Sequence, residues 1–108
     1  HSNAANGRVR GTEVYDDVLS PATSLAKNLS ASSAKAFGHP NRGRKTRVLS
    51  SGDNWYGVIR NSLAKHSMLC EYGFHDNAQD ARLLMNQNHR VKLMTDQARI
   101  IHEFFKNK

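Results

Sequence analysis

Apolar and polar positions follow two rhythms along this chain. One is an alternation of period two, the mark of strands. The other is a spacing of three and four, the mark of helices. In "TEVYDD", residues 12–17, β-branched and aromatic residues predict a short strand. In "SMLCEYGF", residues 67–74, Met68, Cys70, Tyr72 and Phe74 would share one face, with Leu69, Glu71 and Gly73 on the other. This is the clearest strand. "WYGVIRNS", residues 55–62, reads as a weaker one centred on Val58 and Ile59.

The helical rhythm first appears at Ala22, Leu25, Ala26, Leu29, Ser33, Ala36 and Phe37. Ser20 is placed as N-cap, Pro21 as first helical residue, Gly38 as terminator, and Pro40 bars resumption. A short helix follows Asp76, read as its N-cap with Gln79 as capping partner, and has Ala78, Ala81, Leu84 and Met85 on one side. The last helix runs from about His89 to Lys106. Val91, Met94, Ala98, Ile101 and Phe105 form its stripe, widened by Leu93, Ile100 and Phe104, and Lys106 and Lys108 suit its C-terminal dipole. Both long stripes are expected in the core. The segment 41–54, "NRGRKTRVLSSGDN", reads as a basic turn region with a short strand near Val48 and Leu49. Strands alternating with helices predict an α/β fold. Three or four strands with three helices are few for such a fold, which suggests part of a domain.

Composition narrows the function. The 108 residues carry a net charge of +7, which attracts polyanions: nucleic acid, an anionic membrane surface or a cell-wall polymer. No apolar run approaches the length of a membrane span. The single cysteine, Cys70, excludes an internal disulfide and reads as a small buried side chain. The six histidines include no helical pair spaced for zinc. Glu71 stands out, because an unpaired carboxylate inside an apolar strand costs several kcal/mol. Its plain explanation is an ion pair with Arg42 or Arg60. The other is a role in chemistry.

The motifs occur in a particular order. His1-Ser2-Asn3-Ala4 precedes a glycine-bearing loop and Gly11-Thr12-Glu13-Val14-Tyr15. After a helix come Asn41-Arg42-Gly43 and then an apolar strand carrying Glu71, followed by Phe74 and Asn77. In these four motifs the chain resembles the catalytic domain of zinc-dependent N-acetylmuramoyl-L-alanine amidases, over nearly its whole length. The resemblance implies a twisted mixed sheet flanked by helices. It also implies hydrolysis of the amide between N-acetylmuramic acid and L-alanine in peptidoglycan, at the bacterial cell wall. Such domains occur in secreted autolysins, in sporulation and division amidases, and in phage endolysins; the compact loop between His1 and Glu13 is most similar to autolysins and endolysins.

Residue by residue, the resemblance makes His1 the last of three zinc ligands and Glu71 the catalytic glutamate. The family's other two ligands, a histidine and a glutamate, lie upstream of the segment matched here. Residues 1–108 are therefore expected to be the C-terminal portion of one catalytic domain, with the upstream part as its partner and little activity alone. Asn3, Asn41, Arg42 and Trp55 are candidates for substrate binding. The cluster Arg42, Arg44, Lys45 and Arg47 is either a solvated turn or a contact for wall anions. Two rivals stand beside this reading. One is a basic nucleic-acid-binding module, disfavoured by scattered cations and the lack of a recognition motif. The other is a non-catalytic, wall-binding remnant.

Overall fold

The computed structural model describes residues 1–106; Lys108, expected at the end of the last helix, lies outside them. Its elements are β1 (Thr12–Asp16), α1 (Thr23–Phe37), β2 (Asn41–Lys45), α2 (Gly57–Arg60), β3 (Met68–Glu71), α3 (Ala78–Met85) and α4 (Gln87–Lys106). The sheet has the order β2-β1-β3, with β1 parallel to β2 and antiparallel to β3. The helix α1 makes the crossover that a parallel pair requires. The fold is α/β with a mixed sheet, as the resemblance implied.

Alternation along β1 divides its roles. Val14 is fully buried against Leu25, Ala26 and Leu29 of α1, and Met68, Cys70, Ile100 and Phe104 extend this cluster. A second cluster joins Ala36 and Phe37 to Leu93, with Tyr72, Leu83 and Leu84 against it. Every residue of the first helical stripe is buried.

Several elements differ from the sequence reading. The helix α1 begins at Thr23, not at Pro21. Ala22 takes the N-cap position without a side-chain bond, and the Ser20 hydroxyl donates instead to the Lys65 carbonyl at 2.7 Å. The N-cap of α3 is Asn77, whose Oδ1 accepts from the N–H groups of Gln79 and Asp80 at 3.1 Å each. Asp76 instead accepts from the Ala5 and Gly7 N–H groups, at 2.8 and 3.2 Å. The expected strand at Val58 and Ile59 is the single turn of α2, where only Ile59 is buried. Arg60 ties this turn down by donating to the carbonyls of Asn54 and Trp55. Conversely, the basic segment contains a strand, β2. Val48 makes only an isolated bridge to Asn54.

The largest difference concerns α4. Its buried face is Leu93 and Gln97, with Ile100 and Phe104 packed towards α1. Gln97 is satisfied there, donating to the Leu29 carbonyl at 3.1 Å. The expected core stripe lies outside: Val91, Met94, Ala98, Ile101 and Phe105 are all exposed. Met94, Ala98, Ile101 and Phe105 meet Met68 and Cys70 of β3 along an open apolar groove of about 640 Å³. In α3 the inward residues are Asp80, Leu83 and Leu84, while Met85 is exposed.

Candidate active site at the end of the sheet

The end of β3 is built by three backbone bonds. The Tyr72 N–H donates to the His1 carbonyl at 3.0 Å. The Asn3 N–H donates to the Gly73 carbonyl, and the His75 N–H to the Asn3 carbonyl, both at 2.8 Å. Residues 1–3 thus run parallel beside the chain leaving β3. This places His1 next to Glu71: Nδ1 lies 3.0 Å from Oε2 and 3.2 Å from Oε1. The carboxylate is buried, whereas the His1 side chain is 68% exposed. With the ring hydrogen on Nδ1, His1 donates to Glu71 and keeps the lone pair of Nε2 free.

Directly across the sheet from Glu71 stands Glu13, its register partner in β1. Two carboxylates in that relation repel. Glu13 is compensated from several sides. Its Oε1 accepts from Asn3 Nδ2 at 2.9 Å and from the Tyr15 hydroxyl at 3.2 Å. Its Oε2 accepts from Arg42 Nε at 2.8 Å, with Lys45 Nζ at 3.9 Å. Burial, then the hydrogen bond with Tyr56 and the charge of Glu13, push the Tyr15 phenol upward, so Tyr15 stays a neutral donor.

A third carboxylate joins the loops that meet at this end. Asp80 is fully buried and accepts from the N–H groups of Gly11 (3.0 Å) and Phe74 (3.1 Å), from Arg10 Nε (2.9 Å) and from His39 Nδ1 (3.2 Å). Burial alone would raise its pKa, but these bonds outweigh it and hold the carboxyl below the usual range. Burial pushes His39 down, against the opposing pull of Asp80. The other ring nitrogen of His39 lies 2.7 Å from the Thr12 hydroxyl.

The residues singled out from sequence divide accordingly. His1, Asn3 and Glu71 come together, and Arg42 joins them through Glu13. Neither proposed arginine pairs with Glu71: Arg42 bonds to Glu13 and Arg60 to backbone. Asn41 turns inward, its Oδ1 accepting from Ser30 Oγ at 2.6 Å and from the Gly43 N–H at 3.0 Å. Trp55 is on the loop before α2, with the Arg47 guanidinium over its ring at 4.1 Å. The basic cluster is not a free turn, since Arg42 and Arg44 each grip a buried carboxylate, Glu13 and Asp16. Glu13 and Asp80 escaped the sequence reading as members of the site. For Glu13 the signal was available: a carboxylate inside a predicted strand, as with Glu71.

Metal binding can be judged from the donors. Among the described residues, no three His, Cys, Asp or Glu side chains come together as a ligand set. His1 offers one free imidazole nitrogen. The donors of this chain do not by themselves make a three-ligand zinc site.

A family profile described as N-acetylmuramoyl-L-alanine amidase matches residues 1–103. The chain belongs to this amidase family. Enzymes of the family generally depend on zinc. Among solved structures, Cwp6 from Clostridium difficile is 31% identical with a TM-score of 0.83, over 95% of this chain and 17% of that one. AmiC2 of Nostoc punctiforme, an N-acetylmuramoyl-L-alanine amidase, is 25% identical with a TM-score of 0.75, over 98% of this chain and 55% of that one. The catalytic domain of the amidase CwlV from Bacillus (Paenibacillus) polymyxa var. colistinus shares the fold, with 23% identity and a TM-score of 0.78 over all of this chain and 56% of that one. The chain therefore spans little more than half of the AmiC2 and CwlV chains and less than a fifth of Cwp6. Among curated proteins no sequence match is found.

Proposed function

We propose that this chain is the C-terminal portion of a peptidoglycan amidase domain and carries the group that moves the proton. The observation that carries the reading is the contrast at Glu71. It is a buried carboxylate at a strand end whose only side-chain hydrogen-bond partner among the described residues is an exposed imidazole. Glu71 takes a proton from the attacking water as the new C–O bond forms at the amide carbon. It returns that proton to the departing L-alanine nitrogen as the C–N bond breaks. The first transfer needs the carboxylate and the second the carboxyl it becomes, a cycle that a fixed cationic partner would oppose, and Arg42 is bonded to Glu13 opposite.

Zinc, where an amidase holds it, polarises the carbonyl and acidifies water. This chain contributes one candidate ligand, His1, so the remaining donors belong to the preceding half of the domain. The open edge of β3 and the exposed stripe of α4 support a place for that half. Residues 1–3 already run parallel beside the end of β3, and a strand leading into them would continue along its unpaired edge. The apolar groove would then be covered from the same side.

The nucleic-acid rival loses support because Arg10, Arg42 and Arg44 are each tied through Nε to a buried carboxylate, so they serve the frame of the fold and do not form a free basic patch. The test is release of L-alanine amino termini from purified peptidoglycan by the chain joined to the preceding half of the domain. Wall binding without release would leave the non-catalytic reading standing instead. In equilibrium dialysis the joined protein should hold one zinc ion, and the 108-residue chain alone no stoichiometric zinc. A tight 1:1 site in the chain alone would contradict the shared ligand set.

A further inference from the structure

Arg42 is held in a way that the reading of Glu71 does not use. Its stem lies over Gly11, where a side chain is barred: a Cβ there would sit 3.1 Å from Arg42 Cγ and 2.4 Å from the Pro40 carbonyl oxygen. Its guanidinium carbon is 5.2 Å from the centroid of the buried Phe74 ring. Its Nε donates to Glu13 at 2.8 Å. A backbone, a ring face and a buried carboxylate therefore fix the head group. The terminal amino groups make no hydrogen bond among the described residues, and the side chain is 36% exposed. The result is a rigid guanidinium with its forked end unfilled, attached to the residue directly opposite Glu71.

Arg44 is gripped through Nε in the same manner by Asp16, but Asp16 pairs with Met68, at the far end of β3 from Glu71. Arg60 uses its Nη1 on two carbonyls. The Arg42 fork thus has a position beside the proposed proton-transfer site that these two lack.

A planar fork of N–H donors matches a carboxylate bidentately. Resting on the amidase reading, the chemistry of the substrate says where that carboxylate is. On the sugar side of the scissile bond the lactyl carboxyl is tied up in the amide, and N-acetylated sugars are neutral. Free carboxylates belong to the stem peptide. We infer that Arg42 is a specificity-determining residue that binds a free carboxylate of the stem peptide, beyond the L-alanine, and so sets the register of the amide against Glu71. Lys45, 3.9 Å from the same Glu13 oxygen, adds positive potential beside it.

The experiment uses the joined protein and two soluble muropeptides that differ only in whether the carboxylate of the second stem residue is free or amidated. For the wild type, kcat/KM should favour the free carboxylate by about tenfold or more, because a site built for a charged hydrogen bond rejects the analogue lacking it. The difference should appear mainly in KM. In Arg42→Ala the ratio should fall close to one. Arg42→Lys should restore only part of it, and Arg44→Ala should keep it. Equal kcat/KM for both muropeptides in the wild type overturns the inference without any variant. So does a ratio unchanged in Arg42→Ala. Calorimetric titration of Glu71→Gln protein with the same pair separates this inference from the reading on which it rests. Carboxylate-dependent binding that Arg42→Ala removes, without wild-type hydrolysis, would sink the amidase reading and keep the carboxylate site. Hydrolysis without discrimination would do the reverse, and neither binding nor hydrolysis overturns both.

Discussion

Two glutamates face each other across β1 and β3 and sit in opposite surroundings. Glu13 is 3% exposed and Glu71 4%, so burial does not distinguish them. Their partners do. Glu13 is bonded by Asn3, Tyr15 and Arg42 with Lys45 nearby, which fixes it as part of the frame. Among the described residues Glu71 bonds through its side chain only to His1, whose ring is largely in solvent. A buried carboxylate held from every side is structure. A buried carboxylate beside an open imidazole is the arrangement on which the proposed proton transfer rests. Arg42 is bonded to the first and not to the second.

This contrast can be broken from either side. The largest effect is expected at Glu71. Glu71→Gln in the joined protein should lower turnover by at least about 100-fold, the lower range for loss of a general acid–base group. Thermal stability should change little and zinc should stay bound. Glu13→Ala should show the opposite balance. It strands Asn3 and releases Arg42, so chemical denaturation should show a loss of about 2–3 kcal/mol; a loss below about 0.5 kcal/mol would mean that Glu13 is no hub.

The smallest effect is a pH slope, set by the loops around Asp80. His39 is held below its ordinary 6.5. Below that value the unfolded chain binds the proton more readily than the folded one. Its contribution to stability is therefore complete above about pH 6.5 and is lost as pH falls towards the folded pKa. Asp80, lowered from 3.8, adds a separate loss below about pH 3.8. Melting curves between pH 7.5 and 5 should slope downward on acidification, and His39→Asn should flatten them, roughly over the window that linkage assigns to histidine.

Sequence reading succeeded where one pattern had one explanation. The stripe of α1 is buried because the sheet and α4 together cover it. On α4 the same periodicity was legible, but apolar residues lie on more than one side. Leu93, Ile100 and Phe104 face the core, while Val91, Met94, Ile101 and Phe105 are exposed, and no spacing rule tells which side meets α1. The strand β2, "NRGRK", was invisible because it has no apolar residue; its place comes from backbone pairing with β1 and from cations that reach Glu13 and Asp16. The α2 turn was misread because Val58 and Ile59 favour strands in isolation, whereas Val58 is exposed and only Ile59 is buried. In the site, Glu71 was conspicuous among apolar neighbours. Glu13, flanked by polar residues in "TEVYDD", was not, and its importance depends on the register that sets it opposite Glu71.

The most direct test measures both properties on one sample: turnover of purified peptidoglycan and the melting temperature of Glu71→Gln in the joined protein. The contrast between the two glutamates predicts hydrolysis near background with a melting temperature close to that of the wild type. Near-normal turnover, or a collapse in stability like that expected for Glu13→Ala, would contradict it.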